Sequence, residues 1–339
     1  MNYNTAVATL FTVTLDTEEE WPWHASFPAR DFTLDNVAEL PKIQQLCSRH
    51  GARTTFFTNR AVLADAAARA VILDLAGRAG VEIGMHVHPW NTPPIDESLE
   101  GGAYGSFLLN LPAELIEAKM ACVYETFERA GLHPISFRGG RYSSGGAIHD
   151  FLRAHGFIAD ASVVPFTTWV DPGAPDFRRR GNDPVRLPPR GEGERPLWEI
   201  PLTVGFTRPP FARWAKWHNR IRHSWMSRTR LMGLALRLGM PGWIWLNMDF
   251  TPVEDMLTLL PVLRRMRPPC ICFTMHTSSL VAGKNPYSRS DADVDRLYAR
   301  ADKVLGLLAQ WEEFEPATVS EVAQHLEANY HASDRHKPA

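Results

Sequence analysis

Short, continuous apolar runs alternate along the chain with longer segments of helical spacing. The runs are rich in β-branched and aromatic residues, which is typical of strands that are buried on both faces. The predicted strands are 6–15, 53–57, 81–84, 135–138, 157–163, 197–203 and 270–275. The predicted helices are 34–49, 61–78, 112–130, one ending at 154, 253–265 and 291–311, before a last strand and helix. This alternation predicts an α/β protein with a parallel sheet or barrel.

One long segment interrupts the alternation. Residues 171–195 combine clustered Pro, Gly and Arg with little periodicity, and long irregular segments in compact enzymes are often binding loops or lids. A strand and a basic segment follow before the regular pattern resumes. We therefore predict a single domain over residues 1–330, with an insertion at about 171–250 and a C-terminal tail at 331–339.

Composition places the chain among ordinary globular proteins. It has 339 residues, of which 45% are hydrophobic and 22% charged, so it can bury a large core. The four cysteines are Cys47, Cys122, Cys270 and Cys272. They are too few and too scattered for a disulfide framework, which indicates reduced thiols. The N-terminal apolar stretch has no basic region before it, and no apolar run of about 18 residues occurs, so we expect a cytoplasmic protein.

The net charge of −2 conceals a segregated basic block. Between Glu199 and Asp249 there is no acid, and the rest of the chain carries −10. The basic residues of this block are Arg208, Arg213, Lys216, Arg220, Arg222, Arg228, Arg230 and Arg237. Such a block usually meets an anionic partner. Nucleic acid is not expected, because the remainder is acidic and no nucleic-acid motif accompanies the block.

An apolar stripe runs through the same block at helical spacing. It consists of Trp214, Trp217, Ile221 and Trp225. Basic, Trp-bearing amphipathic helices lie at membrane surfaces, so one interpretation is peripheral contact with the inner membrane face through residues 208–237. The alternative is that the stripe packs on the barrel while the arginines are solvated.

The first strand ends in a cluster of acids. The apolar run 6–15 is followed by Asp16, Glu18, Glu19 and Glu20, at the strand end where α/β folds keep their active sites. Side chains two apart in an extended segment share a face, so Asp16 and Glu18 point the same way. This pair would suit a general base beside a metal ligand, and the alternative is an acidic surface turn.

Three more groups of candidate residues follow predicted strands. His86 and His88 share a face and, with one carboxylate, would complete the two-His, one-carboxylate set of catalytic zinc sites. The turn 138–142 (Arg-Gly-Gly-Arg-Tyr) allows close backbone approach, and its arginines could hold a carboxylate or an anionic substrate. His276 follows the strand 270–275 and could be a general acid. The alternatives are a solvated histidine pair, a plain turn and a structural histidine.

In order and spacing these segments resemble the polysaccharide deacetylases with a NodB homology domain (carbohydrate esterase family 4). The matching segments are Thr14–Glu18, Glu82–Pro89, Phe137–Tyr142, Asp160–Val163, Met275–His276 and Glu315–Val322. The resemblance spans about residues 6–326. Two departures stand out: the histidines are two apart where the family usually has four, and Thr17 replaces the usual second aspartate.

The resemblance implies a deformed (β/α) barrel with an inserted basic helical segment, and metal-dependent removal of an N-acetyl group from an amino sugar. The substrate would be a glycan or a precursor of a cell-surface polysaccharide. If the basic block lies at a membrane, the substrate would be a lipid- or nucleotide-linked N-acetyl sugar that carries phosphate. The alternatives are a catalytically degenerate barrel that binds glycans and a formyl or other amide hydrolase. The metal would be Zn, with Co, Ni or Mn as alternatives.

The resemblance also implies a role for each candidate residue. The metal ligands would be Glu18, His86 and His88. The catalytic set would be Asp16 as base, His276 as acid, Arg138 orienting Asp16, and the backbone amide of Tyr142 at the oxyanion. Trp90 and Arg141 would contact the substrate. Asp16 and Glu18 could exchange roles, whereas Glu19 and Glu20 are expected to be bystanders.

Overall fold

The computed structural model describes residues 8–23, 27–96, 102–169, 171–222 and 240–334. The strands are β1 (Thr9–Thr17), β2 (Thr54–Thr58), β3 (Val81–Val87), β4 (Ser136–Gly139), β5 (Ala159–Asp160), β6 (Val185–Leu187), β7 (Leu197–Glu199), β8 (Val204–Phe206), β9 (Trp243–Trp245), β10 (Cys270–His276) and β11 (Phe314–Pro316). The helices are α1 (Leu40–Arg49), α2 (Arg60–Ala64), α3 (Ala66–Ala76), α4 (Ala113–Arg129), α5 (Gly146–Ala154), α6 (Phe211–Arg222), α7 (Val253–Met266), α8 (Asp291–Leu308) and α9 (Val319–Asp334).

The main sheet is a curled, largely parallel sheet. Its strand order is β10-β1-β2-β3-β4-β5-β7-β6, β11 pairs with β1, and only β6 runs antiparallel to its neighbour in this sheet as described. Beyond β7 the chain bends back to the other edge, where the Thr203 amide donates to the Cys272 carbonyl of β10 at 3.1 Å. The two edges of the sheet therefore approach each other, and the prediction of a deformed (β/α) barrel is confirmed.

The strands are buried because helices cover the outside of the sheet. Every residue of β1 is buried, as the continuous apolar pattern of its sequence predicts. The fully buried side chains also include polar ones, such as Thr14, Arg138 and Thr274. Arg138 donates to the Thr274 hydroxyl across the inside of the curl at 3.1 Å. The interior towards the carboxyl ends of the strands is thus a polar network, and it leads into the site described below.

Several predicted elements differ from the structure in their bounds, and for two of them the local cause is clear. The predicted helix 61–78 is two helices, because Asp65 adopts an extended conformation and its side chain caps α3 by accepting the Ala68 amide at 2.8 Å. The predicted strand 157–163 keeps regular pairing only at Ala159–Asp160. Beyond it the Asp160 side chain accepts the Ser162 amide at 3.0 Å, which turns the chain out of the sheet.

The basic block contains α6, whose apolar side faces the barrel. Phe211, Ala215 and Ile221 are buried, and Trp214 packs against the core. The exposed basic side chains of this helix are Arg213, Lys216, Arg220 and Arg222. Of the predicted stripe, Trp214 therefore packs on the barrel core, Ile221 is buried and Trp217 is half-buried. Residues Trp225, Arg228, Arg230 and Arg237 lie outside the described residues. Within the described ranges no helix is long and apolar enough to span a membrane.

Candidate active site

The predicted site residues meet at the carboxyl ends of β1, β3, β4 and β10. Pairing places Asp16 opposite His276, and it places His86 opposite Arg138. A cavity of about 310 Å³ opens at this edge. The predicted residues that line it are Asp16, Glu18, His86, His88, Trp90, Arg141, Tyr142 and His276. Arg138 lies behind the cavity, fully buried.

Glu18, His86 and His88 form a compact donor set. The Glu18 Oε2 atom lies 3.2 Å from His86 Nε2 and 3.1 Å from His88 Nε2. The two Nε2 atoms are 3.0 Å apart. All three residues are buried, and in the described chain they are the group whose ligand atoms lie within 4.8 Å of one another. Of the two acids that could have held a metal, Glu18 is therefore the one beside the histidines.

The hydrogen bonds behind the histidines fix their tautomers. His86 Nδ1 donates to the Arg138 carbonyl at 2.7 Å, since a carbonyl oxygen can only accept. His88 Nδ1 donates to Glu19 Oε1 at 2.8 Å. When the rings of His86 and His88 are neutral, the Nε2 atom of each ring therefore carries a lone pair. The two lone pairs and the Glu18 carboxylate point to the same place. Three converging lone pairs repel one another unless a cation lies between them.

This geometry fits a tetrahedral metal ion. Zinc bonds to His nitrogen and carboxylate oxygen of about 2.0–2.1 Å put neighbouring ligand atoms roughly 3.3 Å apart, close to the three separations found here. The pKa values of His88 and Glu18 also indicate that positive charge is favoured at this point. Burial opposes protonation of His88, yet Glu19 and Glu18 raise its pKa to about 10. Burial also works against the charged form of Glu18, but His88 and His86 lower its pKa overall.

Glu19 belongs to the site, so the expectation that it is a bystander is wrong. Its Oε1 atom accepts hydrogen bonds from His88 Nδ1 and from Trp90 Nε1, the latter at 2.9 Å, and Asn59 donates to its other oxygen. Carboxylates that orient a metal-ligating histidine in this way fix its ring and raise its basicity. Glu20 turns the other way, towards Thr33 and the Asn36 amide, and is structural.

We expect Glu19→Gln to weaken metal affinity about 10- to 100-fold, because the amide replaces one of the accepting oxygens with a donor. Metal titration of the purified protein measures this effect. Glu20→Gln is the matched control: it changes a neighbouring buried acid whose hydrogen bonds lead away from the histidines, and it should leave the affinity unchanged. Equal losses in both variants would contradict the positioning role of Glu19.

Trp90 and Arg141 are the predicted substrate contacts. Both line the cavity, and both also contact other side chains of the protein. Trp90 stacks on the His88 ring at a centroid separation of 4.1 Å. The Arg141 guanidinium pairs with Asp171 and lies 4.0 Å from the centre of the Phe107 ring. Arg141 thereby connects the cavity to the start of the long irregular segment. A substrate contact for either residue stays a prediction.

The turn after β4 is built to lie close to His88. A Cβ on Gly140 would come within 2.4 Å of the His88 ring, and one on Gly139 within 2.0 Å of the Ser143 carbonyl, so both positions require glycine. Arg141 and Tyr142 follow with φ of 49° and 62°, a left-handed backbone that non-glycine residues rarely adopt. This conformation brings Tyr142 to the cavity wall, where its ring stacks on Trp169 at 5.3 Å.

Asp16 faces a buried arginine on one side and a histidine on the other. Its Oδ1 atom accepts from Arg138 Nη1 at 2.7 Å, and its Oδ2 atom lies 3.9 Å from His276 Nε2. Arg138 is also held by the Ala161 carbonyl at 3.0 Å. Burial alone would lower the pKa of Arg138, but the charge of Asp16 raises it, so the guanidinium is a fixed positive charge.

Asp249 orients His276 and was not among the residues predicted from the sequence. Its Oδ2 atom accepts from His276 Nδ1 at 2.7 Å, and Ser279 donates to Oδ1 at 2.7 Å. The His276 Nε2 atom is thereby directed towards Asp16. A signal was present in the chain: the apolar run 243–246 changes to Asn247 and Asp249 in the same way that the first strand changes to acids.

Aromatic side chains make up most of the remaining cavity wall. They are Trp21, Trp23, Phe27, Phe107, Trp169, Trp245, Phe250 and Tyr287. Trp21 meets the Trp90 ring at 5.4 Å, and Trp23 lies edge-on to His276 at 5.0 Å. An aromatic wall around a few polar groups is typical of a small-molecule or sugar site. Apart from Trp245 of β9, these residues come from loops, where the hydrophobic pattern gave no indication of their convergence.

Comparisons with known proteins find similarity only at the level of structure. Neither protein-family models nor curated proteins match the chain. A crystal structure of a candidate polysaccharide deacetylase from Mycobacterium smegmatis superposes with a TM-score of 0.57 at 15% identity, covering 97% of this chain and 94% of that one. A second candidate polysaccharide deacetylase, from Pseudomonas aeruginosa PAO1, gives 0.50 at 13% identity, with coverages of 94% and 91%.

A third similar structure belongs to an enzyme with a different activity. The 4-alpha-glucanotransferase from Thermococcus litoralis gives a TM-score of 0.53 at 11% identity, over 94% of this chain and 40% of that one. Proteins that share a fold can catalyse different reactions. These similarities therefore establish the architecture of the chain, and its activity has to be inferred from the residues of the site. The chain has the curled α/β barrel fold of the polysaccharide deacetylase structures.

Proposed function

We propose that this chain is a metal-dependent deacetylase that hydrolyses the N-acetyl group of an amino sugar in a glycan or glycan precursor. The observation that carries the proposal is the donor set of Glu18, His86 and His88, whose lone pairs converge beside Asp16 and His276. Three protein ligands with a proton acceptor and a proton donor alongside are the parts that metal-assisted amide hydrolysis requires.

Glu18, His86 and His88 would hold the cation, which we propose to be Zn, with Co, Ni or Mn as alternatives. A divalent cation held there supplies Lewis-acid assistance to attack by water on an amide carbonyl. Asp16 is the proposed general base: its Oδ2 atom lies at the cavity, while Arg138 fixes Oδ1 and balances its charge. The Tyr142 backbone amide would stabilise the oxyanion, because the left-handed turn carries this residue to the cavity wall.

His276 is the proposed general acid, giving a proton to the amine as the carbon–nitrogen bond breaks. Burial alone would lower its pKa, but the charge and hydrogen bond of Asp249 raise the pKa to about 9. The imidazole is therefore protonated, and able to donate, at neutral pH. We expect kcat to fall as the pH rises through about 9, where the acid form is lost.

Asp249→Asn tests this assignment, because it keeps the shape of the side chain and removes the charge that raises the pKa. The alkaline fall in kcat should move to lower pH in the variant, as measured from kcat across the neutral and alkaline range. An alkaline limb at the same pH in both proteins would assign that limb to a group other than His276.

Acetate release is the direct test of the function. The purified chain, reconstituted separately with Zn, Co, Ni and Mn, would be offered N-acetylglucosamine, its nucleotide- and lipid-linked forms, chitooligosaccharides and N-formylated counterparts. Acetate release that depends on added metal supports the proposal. Preferential formate release would favour the formyl hydrolase alternative. Tight sugar binding with no hydrolysis under any metal would favour the degenerate, glycan-binding alternative.

We further propose that the substrate is lipid- or nucleotide-linked and is met at the cytoplasmic face of the membrane through residues 208–237. The support is the exposed basic side of α6, which faces away from the packed stripe. We expect the protein to float with vesicles that contain anionic lipid and not with neutral ones. Replacing Arg213 and Arg220 with serine should weaken flotation. Equal flotation with anionic and neutral vesicles would contradict the proposal.

A further inference from the structure

Four residues that line the cavity have a hydrogen-bond donor without a partner among the described residues: the indole Nε1 atoms of Trp21, Trp23 and Trp245 and the amide Nδ2 of Asn247. Two of these donors, those of Trp245 and Asn247, come from one short segment. Both residues line the cavity, and they are buried, with 6% and 0% of their surfaces exposed. Buried donors are normally paired, so an orphaned pair beside a candidate active site indicates a missing acceptor.

The orientation of the Asn247 amide is fixed by its own backbone neighbour. The Asn247 Oδ1 atom accepts the Asp249 amide at 2.7 Å. If the side-chain amide of Asn247 were flipped, its Nδ2 group would face the Asp249 N–H, and both are donors. Nδ2 is therefore the atom of this amide that has no partner. This hydrogen bond also joins Asn247 to Asp249, the residue that orients His276.

Trp245 and Asn247 both line the cavity, and a tight turn joins them. The Asn247 amide donates to the Trp245 carbonyl at 2.7 Å, and the Met248 amide then donates to the Thr274 carbonyl of β10 at 2.8 Å. The indole nitrogen can only donate, and Asn247 has only its donor to spare. A ligand that satisfies both must therefore present oxygen lone pairs.

We propose that Trp245 and Asn247 form a subsite that binds an acceptor oxygen of the substrate beside the reacting amide. The substrate sugar would thus carry a hydroxyl or a carboxylate on the side that faces β9. The assignment of the reacting group rests on the proposed function, whereas the acceptor subsite rests on the two orphaned donors. Both residues would be specificity determinants that contact the substrate.

The test uses two variants that each remove one donor with little change of shape. Asn247→Asp keeps the acceptor for the Asp249 amide and loses the Nδ2 hydrogens. Trp245→Phe keeps an aromatic ring and adds no charge. The control is Trp214→Phe, because Trp214 has an equally unpartnered indole nitrogen but does not line the cavity. The holoenzyme would be assayed with N-acetylglucosamine and N-acetylglucosaminuronic acid, and its affinity measured for the amine product of each.

We expect both cavity variants to lose affinity for the product and to lower kcat/KM, with Trp214→Phe unchanged. The loss in Asn247→Asp should be about tenfold for the neutral sugar and about a hundredfold for the acidic one if a carboxylate is bound. Equal losses for both sugars identify a hydroxyl. Unchanged binding in the two cavity variants, or no binding of either product by the wild type, would overturn the subsite. Product binding without hydrolysis by the wild type would overturn the proposed function and leave the subsite standing.

Discussion

Replacement of His86 by alanine is expected to release the metal and to lower kcat/KM on the order of a thousandfold or more. The variant removes one of three ligands, so only His88 and Glu18 would remain to hold the cation. Because His86 is buried beside the Arg138 carbonyl, no other described side chain replaces its Nε2 atom. Elemental analysis and acetate release under the same conditions measure the two effects together.

His50→Ala is the matched control for this variant. His50 also bonds a carboxylate, Asp302, at 2.8 Å, but it lies between the end of α1 and α8 and does not line the cavity. Its loss should change neither metal content nor acetate release. A His86→Ala protein that retains one equivalent of metal and its activity would contradict the assignment of the donor set.

Most of what positions the site could be predicted from the strand pattern. Continuous apolar runs identify β1 and β10, and a short strand pattern identifies β3. The residues at the ends of these strands converge because parallel strands end at one edge of the sheet. Period-two geometry put Asp16 and Glu18 on one face, and both line the cavity. These patterns are local in the sequence, and they predict the folded strands correctly because buried strands select for them.

What the pattern could not supply depends on contacts between distant segments. Glu19 lies two residues beyond the end of β1, where the strand no longer sets the direction of its side chain, and it contacts His88, which is 69 positions away in the sequence. Asp249 follows β9, a strand of three residues that is too short to stand out from the basic block. Apart from Trp245 of β9, the aromatic wall is assembled from loops whose conformations no periodicity describes.

Arg138→Leu is expected to lower the free energy of unfolding by about 3–5 kcal/mol, because it leaves the Asp16 carboxylate buried without its partner. Asp16 is 2% exposed, and Arg138 is wholly buried with its guanidinium 4.5 Å from the centre of the Phe57 ring. Chemical denaturation measures the loss. The variant should also lose most of its activity, since Asp16 would have nothing to hold its carboxylate towards His276.

Asp16→Asn separates stability from catalysis at the same pair. The asparagine oxygen still accepts from Arg138 Nη1, so the loss of stability should be smaller than in Arg138→Leu, while kcat should fall about 10²- to 10⁴-fold because the base is gone. The double variant Asp16→Asn with Arg138→Leu should be more stable than the sum of the single losses predicts, since no uncompensated charge stays buried. Additive losses would mean that the two groups do not act as a pair, and that the position of Asp16 is set by β1 alone.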